Sequence, residues 1–457
     1  MSKIVRFSLV VVGLILGGLL LALLGANLYL QSEGVQSRIR QAASDSLGAE
    51  VKTGGGSFSP WGGLVIRTLS VSNPDRPEQN LLSADFLRLR FAVFPLLRGR
   101  LVIRKVVLGS PVFTVQQNQR GDLMAVVPPA PRQEIPVTVP GRTPDAQEKT
   151  FKVTIERVQI EKGSIVFVDA GGRKILRSEN VSIEAVVHDD RTSEGAFSIR
   201  EMEIFGALKP RRMKGVFTWD GRVLKASLRS GVLAEGAMEG LFQLTTGDPA
   251  SFILSLSLQQ ARLQKLAEDA GVRSEGMSGT LEGHIGLAGD PLHGNKLTGN
   301  ATVTTRSAEF VPVDFLVQFG QMFGVDELQR LNLSEGLAEL RIADERVLIE
   351  ILRLQSENLI LTGTGRVGFD GRLDVDAALL VNKKLQSRLR SLMGRNFRAA
   401  EDPNYKQLDF KVFGAVSRPK TDLLEKLTGI KIDGNLGGLL QQFFRKPTRR
   451  TGDDAEP

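Results

Sequence analysis

From Phe151 to Phe413 the chain alternates apolar and polar residues almost without interruption. Strand side chains point to opposite faces in turn, so this period of two predicts strands with one apolar face. In "SFILSLSLQ", Phe252, Leu254, Leu256 and Leu258 share one face against Ser255 and Ser257. In "QLDFKVFG", Leu408, Phe410 and Val412 oppose Asp409 and Lys411. Earlier, Leu87, Leu89, Phe91 and Val93 lie on one face and Arg88 and Arg90 on the other. Glycine opens strand after strand, at Gly163, Gly215, Gly240, Gly279, Gly299, Gly336 and Gly363. The irregular spacing implies no propeller or fixed-period solenoid, but a long antiparallel meander. Roughly 300 residues at about 12 per strand, turns included, give about 25 strands. Such a sheet cannot stay flat without curling, and it has an apolar face to hide. The expected fold class is mainly β, a strongly curved antiparallel sheet with a few amphipathic helices.

Within that meander, "GTGRVGFDGRLDVDAALLV" spells G-x-G-x-x-G at Gly363, Gly365 and Gly368. A dinucleotide loop needs a helix after the glycines, because the helix N-terminus supplies the anion site. Here strand periodicity follows instead. A three-residue hairpin loop, Phe369-Asp370-Gly371, sets Val367 opposite Leu373 and Arg366 opposite Asp374. It also sets Gly365 and Gly363 opposite Val375 and Ala377. That register matches apolar with apolar and charge with opposite charge, which cross-strand pairing favours. The same corner recurs at Trp219-Asp220-Gly221-Arg222, where it predicts Phe217 opposite Val223. The glycines read as relief of crowding in a curved sheet.

Other chemistry is sparse. Cysteine is absent and only His188, His284 and His293 occur, none at helical i, i+4 spacing with a carboxylate. No catalytic, metal or cofactor site is predicted. Ser417-Arg418-Pro419-Lys420 spells S-x-x-K, but Pro419 opposes the helix that a serine–lysine acylase needs, so it reads as a turn. The net charge of +8 suits anionic headgroups as well as nucleic acid and selects neither.

The N-terminus supplies the topology. Residues 7–29, from Phe7 through Leu14 and Leu20 to Tyr29, hold no charge over 23 positions. At ~1.5 Å per residue that spans a ~30 Å hydrocarbon core. Lys3 and Arg6 precede it, so residues 1–6 are expected in the cytoplasm and the rest translocated. As a cleaved signal peptide its apolar core would be unusually long, and Leu24-Gly25-Ala26 is a poor cleavage site. The expected organisation continues with a module of short helix plus strands at 30–122 and a Pro-rich linker or loop at 123–150. A β-meander at 151–421 follows, with helical insertions near 313–330 and 383–393. A C-terminal amphipathic helix at 422–446 and a disordered tail at 447–457 complete it.

Residues 47–74, "LGAEVKTGGGSFSPWGGLVIRTLSVSNP", lead into "LLSADFLRLRFAVFPLLRGRLVIRKVVLGSPVF". With the anchor and short helix before them, these resemble the AsmA family, bacterial envelope proteins that include TamB. "VTIERVQIEKGSIVFVDAGG" and the later glycine-led strands are similar too. The resemblance implies an elongated, U-shaped sheet whose apolar groove holds lipid acyl chains while headgroups stay wet. It implies inner-membrane attachment, a periplasmic body, and a role in phospholipid transport to the outer membrane or in maintaining that membrane. Expected partners are phospholipids or other acyl lipids, the inner membrane, and the outer membrane or an envelope protein; nucleic acid is not among them. Candidate groove-lining residues are Leu87, Leu89, Phe91, Val93, Phe252, Leu254, Leu256, Leu258, Val367, Leu373, Val375, Leu408, Phe410 and Val412. The terminal helix, through Leu423, Leu427, Leu439, Phe443 and Phe444, is expected to plug the groove's far end or touch a membrane. A second reading stays open, a scaffold for outer-membrane protein assembly that conducts no lipid.

Overall fold

The structure, a computed structural model, describes residues 49–59, 63–92, 100–118, 151–188, 192–271, 274–290, 293–310, 329–388, 397–416 and 418–428, with scattered positions between. The expected anchor, with Phe7, Leu14, Leu20 and Tyr29, lies outside the described residues, as do Val93, Leu439, Phe443, Phe444 and most of 313–330. Among the described residues no helix is long and apolar enough to cross a membrane.

The chain is mainly β, with 25 strands among the described residues and short helices between them. It divides into two units, Met1–Thr305 with Arg341–Glu345, and Arg306–Leu340 with Arg346–Pro457.

In the first unit, β1 (Val51–Thr53) and β2 (Gly56–Ser59) both pair with β3 (Gly63–Ser72). Next, β3 lies antiparallel to β4 (Asn80–Phe91), and β4 to β5 (Arg100–Gly109). β6 (Val112–Gln117) takes the short β7 (Leu123–Met124), and β8 (Glu134–Ile135) pairs with β9 (Phe151–Ile155). Here the all-antiparallel expectation needs correction. β9 runs parallel to β5, and β10 (Arg157–Val168) runs parallel to β5 and β6. A parallel return needs a connection of a dozen residues or more, and the Pro-rich stretch supplies it. Beyond β10 the meander is antiparallel through β11 (Lys174–Val187), β12 (Ser193–Ile204), β13 (Arg211–Trp219), β14 (Val223–Leu233), β15 (Gly236–Thr245), β16 (Ser251–Arg262) and β17 (Ser278–Asp290).

A helix that the alternation did not announce, α1 (Leu263–Asp269), follows β16. It keeps Asp269 buried between Lys265 at 3.4 Å and Arg211 at 3.8 Å. Glu268 and Asp269 together hold the Lys265 ammonium above its ordinary range, the Glu268 hydrogen bond most of all.

A line of β-bulges crosses this unit. Register slips fall between Ile160 and Gly163 on β10, Arg211 and Lys214 on β13, Leu228 and Gly231 on β14, and Leu258 and Ala261 on β16. They sit side by side, since Gly163 faces Val181, Val181 faces Ile199, Ile199 faces Met213, and Gly231 faces Met238. Lys162, Arg212 and Gln260 take left-handed φ at the slips. Each bulge bends its strand and sharpens the local twist. Val181, Met213, Met238 and Ala261 are buried along this line.

β18 (His293–Phe310) and β19 (Leu331–Ala343) follow and carry residues of both units. The second unit builds an antiparallel ladder of β20 (Arg346–Ser356), β21 (Leu359–Gly368), β22 (Arg372–Asn382) and β24 (Tyr405–Ala415). β23 (Arg398–Ala399) and β25 (Arg418–Thr421) pair with β24. The S-x-x-K residues after Ser417 thus form a strand. Among the described residues, two short helices of this unit can be placed: α2 (Lys383–Arg388) lies within the expected 383–393 insertion, and α3 (Leu423–Thr428) within 422–446.

The two hairpin corners differ. Val367 faces Leu373, Arg366 faces Asp374, Gly365 faces Val375 and Gly363 faces Ala377, the register read from the sequence. Gly371 has φ +82°, and its N–H donates to the Gly368 carbonyl at 2.9 Å. At the earlier corner, however, Phe217 faces Ala226 instead of Val223, and Trp219 faces Leu224. The Asp220 carboxylate accepts the N–H groups of Val223 at 2.6 Å and Arg222 at 2.9 Å. Those bonds tighten the turn around Gly221, at φ +91°, and leave Trp219 in the ladder.

Candidate functional site

Cross-strand register assembles the apolar positions of the first unit into continuous rows. One row passes from Leu64 through Leu89, Val106, Val158 and Ala185 to Gly195. It continues through Phe217, Ala226, Phe242 and Leu254 to Leu287. The adjacent row runs from Ile66 through Leu87, Leu108, Ile160, Ile183 and Phe197. It then passes Gly215, Leu228, Gly240 and Leu256 to reach Ile285. Every member of both rows, β3 to β17, is apolar or glycine.

These rows are neither core nor open surface. All members are half-buried except Gly215, which is buried. Intervening positions such as Glu184, Glu194, Thr218 and Lys225 are exposed. A sheet packed against a second layer would bury such a stripe. Half-burial across eleven strands describes an apolar face that nothing large among the described residues covers.

Six candidate lining residues lie on this face: Leu87, Leu89, Phe252, Leu254, Leu256 and Leu258. Phe91 sits one bulge beyond Leu89 and stacks on Phe58, ring centroids 5.6 Å apart. Phe197, Phe217, Phe242, Ile285 and Leu287 share the face without having been singled out. Their alternation was visible, but which strands neighbour one another was not. The bulges also leave a trace in sequence, because apolar parity slips from Val158 and Ile160 to Gly163 and Ile165, and from Leu256 and Leu258 to Ala261.

The second unit has its own rows, with Ile349–Gly365–Val375–Val412 beside Leu352–Gly363–Ala377–Phe410 and Leu354–Leu361–Leu379–Leu408. Val367, Leu373, Val375, Leu408, Phe410 and Val412 therefore share one face here too. Its environment differs, since Val375, Leu379, Leu408 and Phe410 are buried. α2 packs on β22 and α3 on β24, and each helix buries a leucine, Leu385 and Leu423. Leu427 lies in α3. A cavity of about 550 Å³ beside α3 is lined partly by Glu350, Arg353, Asp376, Lys411 and Lys426.

A polar cavity of about 610 Å³ sits in the first unit where the β3–β4 turn meets β6. Buried Asn73 organises it, donating from Nδ2 to Gln116 Oε1 at 2.8 Å and accepting the Asp75 N–H at 2.9 Å. Gln116 in turn donates to Gln79 Oε1 at 2.7 Å. Histidine chemistry is thin: His284 Nδ1 meets the Ser257 hydroxyl at 3.1 Å on the polar face, and His188 pairs with Glu194 at 3.1 Å. Among the described residues no group of three or more His, Cys, Asp or Glu could hold a metal ion.

A largely antiparallel sheet with one long apolar face, uncovered among the described residues, defines the class. Residues 1–214 match the AsmA family. That family consists of bacterial envelope proteins. No curated protein and no solved structure matches the chain. The family match ends at the start of β13, whereas both rows continue unbroken to β17.

Proposed function

We propose that the protein is anchored in the inner membrane, extends into the periplasm and binds lipid acyl chains on the apolar face of its first unit. In this reading it contributes to phospholipid transport between inner and outer membranes, or to outer-membrane maintenance. The observation that carries it is the pair of uninterrupted, half-buried rows from β3 to β17. An acyl chain laid along them removes apolar surface from water on both partners, worth roughly 0.8 kcal/mol per buried CH₂. Because the rows contain no charged residue, a chain shifting from strand to strand meets no deep trap and no barrier of buried charge. The exposed charges on the other side keep the sheet soluble while lipid is carried.

The test is mass spectrometry of lipid extracted from the purified full-length chain, compared with Leu254→Glu. Loss of copurifying phospholipid with an unchanged circular dichroism spectrum supports the face as the lipid site. Unchanged lipid would refute it. A lipid-free wild-type chain that still sustains outer-membrane protein assembly would favour the scaffold reading.

A further inference from the structure

At one end of the second unit two turns lie side by side, because the Val416 N–H donates to the Gly371 carbonyl at 2.9 Å. They present three large apolar side chains to solvent: Phe369 at 52%, Phe413 at 42% and Val416 at 55% exposure. The rows of the same unit have no use for them. Phe369 is in the turn itself, and Phe413 projects from the polar side of β24 opposite Asp374 and Lys420.

Charge surrounds this apolar tip unevenly. Arg366 is neutralised by Asp374 at 3.0 Å and Arg372 by Asp370 at 3.2 Å. Arg346, across from Gly368, and Arg418 and Lys420 on β25 are exposed and have no carboxylate partner among the described residues. Asp344 and Glu345, in the turn just before Arg346, are exposed carboxylates that offset it, so the uncompensated positive charge at this end is that of Arg418 and Lys420 on β25.

We propose that this tip docks onto a bilayer containing anionic lipid, the apolar trio entering the headgroup boundary while Arg418 and Lys420 meet lipid phosphates. Aromatic and aliphatic side chains ringed by long cationic ones suit that boundary, where apolar parts insert shallowly and charges reach outward. A protein partner fits less well, because a stable interface engages about 20–30 residues a side. The proposal does not rest on acyl-chain binding by the first unit, so a Leu254→Glu chain keeps its tip response.

The chain has no cysteine, so one introduced thiol is a unique label. Full-length protein carrying an environment-sensitive dye at Val416→Cys is held in phosphatidylcholine nanodiscs. It is then mixed with separate vesicles of phosphatidylcholine, with or without phosphatidylglycerol. A blue shift with phosphatidylglycerol vesicles only, and none for a dye at Glu401→Cys before the start of β24, is the expected result. Arg418→Gln and Lys420→Gln should each weaken vesicle binding roughly fivefold, and Phe369→Ser should reduce the shift. No shift, an equal shift at the Glu401→Cys label, or equal binding to neutral vesicles would overturn the proposal. So would silence toward every vesicle alongside a shift with an acidic polypeptide, which would assign the tip to a protein partner.

Discussion

The Phe197 ring lies across Gly215 on the neighbouring strand, so close that a Cβ there would come within 2.6 Å of a ring carbon. The arrangement is reciprocal, since Phe217 covers Gly195. In each pair the ring supplies the apolar cover that glycine lacks, and glycine supplies the room.

Gly215→Ala should therefore destabilise the first unit by about 1–3 kcal/mol, the usual range for overpacking. The Ser227 carbonyl also crowds that position, so Gly215→Ala with Phe197→Ala should not restore wild-type stability. Chemical denaturation of the three chains measures this.

The Arg366–Asp374 pair is exposed on both sides, and a double-mutant cycle should return under about 1 kcal/mol. Gly365→Ala should cost more, because the new Cβ would sit 2.6 Å from Val375 Cα and collide with the Asp374 carbonyl. Melting temperatures of the variants rank the two effects.

Asp220 should give the earlier hairpin an acid sensitivity. The N–H groups of Val223, foremost, and Arg222 hold its carboxyl below the ordinary value of 3.8. A carboxyl depressed on folding stabilises above its unfolded pKa, and that contribution disappears as pH falls through the folded value. Asp220→Asn should flatten this part of the acid arm of stability against pH, leaving neutral pH as the place where the two chains differ most. Asp169 is lowered similarly, chiefly by the Arg173 N–H, and its side-chain resonance should titrate low as well.

Leu379 and Leu254 should respond oppositely to substitution. Leu379 is buried at 1% exposure, so Leu379→Ala should cost 2–5 kcal/mol through the cavity it leaves. Leu254 is half-buried, and Leu254→Glu should leave the unfolding transition near its original midpoint while lipid is lost. Paired denaturation and lipid analysis separate the two.

Much of this was legible in the residues, for reasons that differ by position. The Val367–Leu373 register could be derived because one pairing matched both apolar and charged partners. The Trp219 corner shares its aromatic-Asp-Gly-Arg pattern, yet Asp220 caps two backbone N–H groups there, whereas Asp370 accepts that of Arg372. Side-chain capping of a turn shifts register without altering composition. The parallel placement of β10 beside β5 and β6 depends on where a long connection returns, which local alternation does not encode. Leu254 and Leu408 looked equivalent, as alternating leucines do, but only Leu408 is buried. What covers a face is decided by other elements, here α2 and α3.

The line of bulges has a consequence for how this sheet can change. Removing one residue from an ordinary strand turns every later side chain inside out. Removing Lys162 or Gln260 would instead cancel an insertion, returning Gly163 or Ala261 to the alternation that precedes it and keeping the following residues on their present side. The strand would merely straighten. Curvature here is thus written in single residues, each a dial that evolution can turn without rewriting the surface it bends.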